Sequence, residues 1–502
     1  MFVIAIVIGG FLLYFSNHLL SSIPFGKSIT GKGFGLLVKL FDKEKVTGAR
    51  LQSEQEVSRL LHSRNHGVCL DGAKMQKRLS SLESHKHLLL TASTGSGKSV
   101  TFCVPSIFAT AKSGISSLII TDPSGELHRL TARALAEVYG YEVQVVSIEN
   151  PLRSHGYNPL SHLSSTSTGR DIEDVAQALV NANGKPKQGE EIWSNGAATL
   201  LEIIIQALVD ANEPMWLNLH QVYFLLESYG ARGEGIEAFF VKYASDRTFK
   251  RLLSFVQGQK NMISSMVLVA KEAVRFASGE EMGMMLSHNE VSFSALRERK
   301  IALFVITPAS SLDTYKGLLN VMWGQVFKSQ EKEEYISSGL EITCILDELG
   351  NLYISGFDKA TTLLRKYRIS ICAITQSFSQ LVSKYGQHDA QTIIGGGMGC
   401  KLFYSGVDYE TAQQVQGMIG KVRYEKKSQG GSKSYREELL LNADRISRMG
   451  KNKALVLISG EEPIILDTTP YYQDRRMRKL TSMPPLELPE ELPISLKYVP
   501  LS

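Results

Sequence analysis

The chain has 502 residues, of which 43% are apolar and 21% charged, and its net charge is +5. That composition excludes a disordered or fibrous protein, and the length exceeds what one hydrophobic core usually holds, so two or three substructures are expected. The mildly basic balance permits a nucleic-acid partner but lacks the stripe of Lys and Arg that would establish one.

No Lys, Arg, Asp or Glu precedes Lys27, and the chain opens with FVIAIVIGGFLLYF. About 20 mainly apolar residues span a bilayer, and no basic segment precedes this stretch as it would in a cleaved signal peptide. Residues 1–26 therefore read as a membrane anchor, with a buried core helix as the alternative. Lys27, Lys32, Lys39, Lys43 and Lys45 follow. The positive-inside bias then puts the bulk of the chain in the cytoplasm. Residues 27–85 are expected to form a linker and the start of the next domain.

Between 86 and 160 the order is strand, loop, helix, strand, helix, strand: HLLLTA, a glycine-rich loop, VTFCVPSIFATAKSG, SSLIITD, ELHRLTARALAEVYG and VQVVSI. Continuous apolar runs alternating with helical segments predict a parallel sheet covered on both faces. Such runs return as IALFVIT at 301–307, ITCILDELG at 342–350 and ISICAIT at 369–375, within a second α/β part over 293–475. Residues 161–292 between the parts show helical periodicity and no convincing strand, and no proline occurs from Met215 to Thr307. They predict an inserted all-α domain. KKSQGGSKSYREE at 426–438 reads as a flexible charged loop, and 476–502, with five prolines in the last 19 residues, as an extended or disordered tail. The five cysteines lie far apart, without metal-ligand spacing, and read as reduced, mostly buried thiols.

Residues 92–99 read ASTGSGKS, a phosphate-binding loop after an apolar strand and before a helix, although Ala92 stands where the pattern has Gly. Thr94, Gly95, Ser96, Gly97, Lys98, Ser99 and Val100 are the expected nucleotide-binding residues. Backbone N–H groups surround the phosphates, Lys98 supplies the cation, and the Ser99 hydroxyl holds Mg2+. The site also needs an acid at the end of a buried strand to hold the metal and a neighbouring carboxylate to orient water. ILDELG offers Asp347 and Glu348 side by side and fits better than IITDPSGE, where Pro123 follows Asp122. Asp122 and Glu126 keep two readings, lining the neighbouring strand end or capping an ordinary strand-to-helix turn. Gln376 ends ISICAIT at the same carboxyl edge, where its amide can sense the terminal phosphate. Arg365 and Arg368 precede that strand, either as solvated arginines or as groups reaching a neighbouring subunit's nucleotide.

In family order, TGARL at 47, HLLLTASTGSGKS, DPSGE, YNPL at 157, IWSNGAATLL, ILDELG, ITQSFSQLVSKYG and PIILDTTPYYQD resemble the type IV secretion system coupling proteins, the TraG/TraD-like conjugal transfer ATPases, over roughly 46–475. The resemblance implies an α/β fold, a RecA-like P-loop NTPase parallel sheet with an inserted all-α domain and an N-terminal transmembrane helix. It implies ATP and Mg2+ as cofactors, Lys98, Glu348, Gln376 and a trans-acting Arg365 as catalytic groups, and Ser99 with Asp347 at the metal. The implied partners are five further copies in a homo-hexamer, single-stranded DNA or a relaxase-type nucleoprotein, and the channel components of the secretion system, with effector proteins as another cargo. Two departures stand out: Ser124 replaces a lysine common in relatives, and one membrane segment is present where many have two. The rival readings are a chromosome or septal DNA translocase, which usually carries a winged-helix end, and a substrate receptor with low ATP turnover.

Overall fold

The computed structural model describes residues 45–501 except 165, 168, 185, 187–188, 230–233 and 428–432. The expected membrane anchor at 1–26 lies outside the described residues. Twelve strands occur among those described: β1 (Lys45–Gly48), β2 (Leu88–Thr91), β3 (Ser116–Asp122), β4 (Glu142–Ser147), β5 (Ile301–Ile306), β6 (Glu341–Leu346), β7 (Ile369–Thr375), β8 (Cys400–Tyr404), β9 (Lys421–Lys427), β10 (Lys433–Leu439), β11 (Lys453–Ile458) and β12 (Ile464–Asp467). They fall into two compact units, residues 45–49 with 421–439, and residues 50–420 with 440–501.

The small unit is the antiparallel sheet β1-β9-β10. This corrects the expectation of a flexible loop at 426–438, because β9 reaches Lys427 and β10 spans most of the rest. The strands carry no apolar run, so hydrophobicity does not reveal them. Arg423 stands opposite Glu437 in the register and donates to it at 2.7 Å, and its guanidinium lies 5.5 Å from the Tyr435 ring centre. Cross-strand pairs of this kind stabilise a solvated sheet by a few tenths of a kcal/mol each, up to about 1.

The large unit is built on a nine-stranded sheet in the order β12-β11-β8-β2-β7-β6-β3-β5-β4. From β8 to β4 every neighbour pair is parallel, while β11 runs antiparallel to both β8 and β12. Side chains alternate between the faces. Leu88, Leu90, Leu118 and Ile120 join Phe102 and Phe108 in one core, whereas Leu89 and Ile119 join the other. Both faces are thus covered, which explains why β5 and β7 are buried along their whole length. All five cysteines are free and buried.

Among the described residues between β4 and β5 no strand occurs, and the helices include Gly169–Val180, Glu191–Ala211, Leu219–Ser228, Asp246–Val256, Lys260–Val274 and Glu280–Ser287. Glu191–Ala211 is apolar and long enough to cross a membrane, the one such helix among the described residues. It is instead a core helix, with Ala197, Leu201, Ile204 and Leu208 fully buried. A side chain at Gly196 would stand 2.4 Å from Met266 Sδ, so glycine there lets Lys260–Val274 pack closely.

The segment read as a tail from 476 begins with the helix Arg475–Thr481, capped by Asp474. Beyond Met483 it is extended and bound to the rest of the unit. Arg133 donates to Pro484 O at 2.7 Å and Leu492 N–H to Leu152 O at 2.9 Å. The buried Gln221 amide donates to Lys497 O (3.2 Å) and accepts from Val499 N–H (3.0 Å), while the Tyr498 ring packs against Phe224 at 5.0 Å. Proline supplies the stiffness and the tail lacks ladder partners, so its order derives from these side-chain clamps. Ending the chain after Met483 is expected to lower the melting temperature by about 2 °C or more, with hydrogen exchange accelerated in Leu219–Ser228 and Glu280–Ser287. Unchanged protection in those helices would show that the clamps contribute nothing.

Candidate active site

Strand β2 ends at Thr91, and Ala92 N–H continues its ladder by donating to Thr375 O on β7 at 3.1 Å. Ala92 is fully buried and needs no left-handed backbone, which accounts for its tolerance in place of Gly. The chain then turns: Ser96 donates to Ser93 O through both N–H (3.2 Å) and Oγ (2.6 Å). Gly95 (φ +75°) and Gly97 (φ +93°) take the left-handed conformations that make this turn. A side chain at Gly95 would meet nothing within 4 Å, so backbone conformation rather than space requires glycine there. Lys98–Cys103 forms wide π-helical turns leading into the helix Val104–Ser113. Thr94 to Val100 thereby form one continuous loop at a helix start. Such a loop presents successive N–H groups to an anion. Thr94 and Gly95 are exposed and Ser96 to Val100 half-buried. Among the described residues the side chains of Lys98 and Ser99 have no hydrogen-bonding partner within the chain.

The sheet order decides which acid accompanies the loop. β7 separates β2 from β6, and β3 lies one strand further away, so Asp347 after β6 is nearer to the loop in the sheet than Asp122 at the end of β3. Thr121 Oγ1 pins the backbone after β6 by donating to Asp347 O at 3.1 Å. Asp347 Oδ1 accepts Glu348 N–H at 3.0 Å. Burial pushes the Asp347 carboxyl up to about 6. The charge of Lys98 opposes that shift, while Glu348 and Asp122 add to it. Glu348 adopts φ +59°, a conformation costing a non-glycine residue about 1–2 kcal/mol. Asn351 Nδ2 donates to its Oε2 at 3.3 Å. Asp122 Oδ2 accepts the N–H of His128 at 2.7 Å, in the first turn of the helix Glu126–Glu137, so Asp122 performs the capping role. Burial raises its carboxyl as well.

Gln376 follows β7 at the same edge. Its N–H is held by Gln380 Oε1 (2.9 Å), which also accepts from Thr375 Oγ1 (2.9 Å), and the Gln376 side-chain amide has no partner among the described residues. A side chain at Gly350 would lie 2.3 Å from Gln380 Oε1, so the glycine of ILDELG makes room for this bridge. Sequence reasoning missed Gln380, Thr121 and Asn351. For Gln380 the signal was present, since Ser377 to Gln380 spells the S-x-x-Q capping pattern and Ser377 caps the helix Phe378–Thr392.

The two arginines lie at the other edge, before β7. Arg368 donates to Ser338 O (3.1 Å) and Gly339 O (3.0 Å) and faces Glu341 at 3.7 Å. It is therefore held as a structural group. Arg365 is exposed and without a partner among the described residues. Burial above all, with His85 and the charge of Arg365 adding to it, depresses His87, just before β2, to about 3. The seven residues of β7, about 23 Å at the usual rise, separate Arg365 from the loop edge of its own chain. The loop edge itself carries an oxygen-only donor set, the Ser99 hydroxyl and the Asp347 carboxylate. That set suits a hard cation such as Mg2+, which takes most of its ligands from phosphates and water.

The chain matches the family model described as Type IV secretory system Conjugative DNA transfer over residues 41–491. It is 23% identical over 427 residues to Protein VirD4 of Rhizobium radiobacter, covering 82% of this chain and 60% of that protein. It is 22% identical over 397 residues to the probable conjugal transfer protein TraG of Sinorhizobium fredii, covering 75% and 61%. The chain thus spans about three-fifths of the length of the curated relatives it matches. Among solved structures, the bacterial conjugative coupling protein TrwBdeltaN70 superposes with a TM-score of 0.66 at 17% identity, covering 85% of this chain and 94% of that one. TrwB in complex with ADP and Mg2+ gives 0.65 at 17% identity, covering 89% and 97%. With the mixed α/β fold shared and the family match running along nearly its whole length, the chain belongs to the type IV secretory system conjugative DNA transfer family, the coupling proteins of type IV secretion.

Proposed function

We propose that the protein is a membrane-anchored ATPase that works as a hexamer, with most of the chain in the cytoplasm at a bacterial inner membrane. It hydrolyses ATP at subunit boundaries to feed single-stranded DNA or a relaxase-type nucleoprotein into a type IV secretion channel. One observation carries the reading: a glycine-turned loop, a half-buried Asp-Glu pair and a free glutamine amide emerge at the ends of β2, β6 and β7, three strands adjacent in the sheet. The nucleotide complexes of the structural neighbour TrwB, with ADP and Mg2+ and with an ATP analogue, support the same cofactors here.

The loop amides of Thr94 to Val100 cradle the phosphates, and Lys98 reaches the terminal one. Ser99 and Asp347 would hold Mg2+, which would supply charge neutralisation at the phosphates. Glu348 orients the attacking water and accepts its proton, and the Gln376 amide contacts the terminal phosphate. Arg365 stands on the opposite edge from its own loop, so it serves a neighbouring subunit's site. The helical domain at the ring's mouth receives the cargo.

Lys98→Ala is expected to abolish ATP hydrolysis while circular dichroism and melting stay near the parent's, and undiminished hydrolysis would remove the loop from the site. Arg365→Ala alone should be inactive too. An exchanged mixture of Lys98→Ala and Arg365→Ala subunits should recover about one quarter of the parental rate, the statistical share of boundaries joining an intact loop to an intact arginine. No recovery would place Arg365 outside the catalytic boundary.

Because folded Asp347 keeps its proton to about 6 rather than 3.8, the folded state binds more protons than the unfolded state across that window. Stability in Mg2+-free buffer should therefore fall as pH rises from 4 to 6. Denaturant titrations of Asp347→Asn should lack that part of the slope, and equal slopes would contradict the assignment.

A further inference from the structure

Behind the acidic pair, on the side away from the loop, the ends of β6, β3 and β5 enclose a cavity of about 20 Å3. Leu319 and Leu352 form part of its apolar wall, and Asp122, Thr307, Asp347 and Glu348 supply its polar lining. Two of these polar groups are buried and incompletely partnered. Asp122 is 1% exposed, and with Oδ2 occupied by the His128 N–H its Oδ1 has no hydrogen bond. Thr307 is 4% exposed and its Oγ1 has none either. Buried polar atoms are satisfied by protein or by ordered water. A water molecule needs about 10–15 Å3 and two to four polar partners, and this cavity offers both.

The hydrogen-bond inventory closes around a single water. Thr307 Oγ1 donates to it, and its two O–H groups go to Asp122 Oδ1 and to a second carboxylate. Asp347 gives Oδ1 to the Glu348 N–H and, in the ATPase reading, its other oxygen to Mg2+. Glu348 gives Oε2 to Asn351 and has Oε1 free. We propose that one ordered water in this cavity links Glu348 Oε1 to Asp122 and Thr307, making those two residues positioning groups for the carboxylate that activates the attacking water. This proposal rests on the ATPase reading and deepens it. Glu348 sits in a left-handed backbone conformation and its carboxylate has one long bond, from Asn351, so the carboxylate needs a second restraint to stay aimed. Such aim is worth much in rate, because a misplacement of about 1 Å can cost a hundredfold.

The test is steady-state ATP hydrolysis by the full chain carrying Thr307→Val, Thr307→Ser or Asp122→Asn, with melting temperatures measured alongside. Thr307→Val keeps the shape and removes the hydroxyl, and Asp122→Asn keeps an acceptor for His128. Both should lower kcat about tenfold or more while KM for ATP and the melting temperature stay at the parent's values. Thr307→Ser, which restores the hydroxyl, should recover most of the rate. Equal turnover by Thr307→Val and Thr307→Ser would overturn the proposal, as would a fall in kcat matched by rising KM and lost stability. Lys98→Ala separates the two layers. Continued hydrolysis in that variant defeats the ATPase reading itself, whereas its loss together with unimpaired Thr307→Val defeats the bridging water alone.

Discussion

A parallel sheet covered on both faces has nowhere to put a charge except at the ends of its strands, and the active-site architecture follows from that constraint. Strands β2, β7, β6 and β3 are buried along nearly their whole length and carry charged side chains only at their ends. Ala92 bonded to Thr375 ties the ends of β2 and β7 together, and Thr121 bonded to Asp347 does the same for β3 and β6. The glycine-rich loop, Asp347, Glu348 and Gln376 then face one edge without any dedicated scaffold. The same rule sends Arg365 to the opposite edge, away from its own chain's loop. Partial burial also sets the electrostatics. It lifts Asp347 toward neutrality, and the charge of Lys98 opposes that shift.

The helical insertion and the tail obey a different economy. The insertion interrupts the sheet between β4 and β5 without disturbing it, because the two strands remain paired in parallel register from Glu142 with Ile301 onward. The tail then runs from the helix after β3, past the turn after β4, to the helices around Gln221. It touches both the sheet-bearing part, at Arg133 and Leu152, and the helical part, at Gln221.

How much of this was legible depended on what each element buries. β2, β3, β5, β6 and β7 announce themselves as apolar runs because both faces of the sheet are covered. β9 and β10 carry charges on a solvated sheet and read as a loop. The expectation that ASTGSGKS pairs with ILDELG rests on chemistry, since two adjacent carboxylates after an apolar run fit a metal and a water better than Asp-Pro does. The strand order that puts Asp122 one position further out was not legible, because it is a property of topology. Nor were Gly350 and Gln380, whose contact joins residues 30 positions apart, or the cavity between Asp122 and Thr307, which exists only once three strand ends meet. Arg365 and Arg368 looked alike in sequence, and only the carbonyls of Ser338 and Gly339 distinguish the structural guanidinium from the free one.

The most direct test of the account is a cryo-electron microscopy structure of the full chain assembled with Mg2+ and a non-hydrolysable ATP analogue. It should show the phosphates on the Thr94–Val100 loop, Mg2+ on Ser99 and Asp347, the Gln376 amide at the terminal phosphate and Arg365 of an adjacent copy completing the site. A nucleotide bound away from that loop, or a metal taken by Asp122 instead of Asp347, would contradict it.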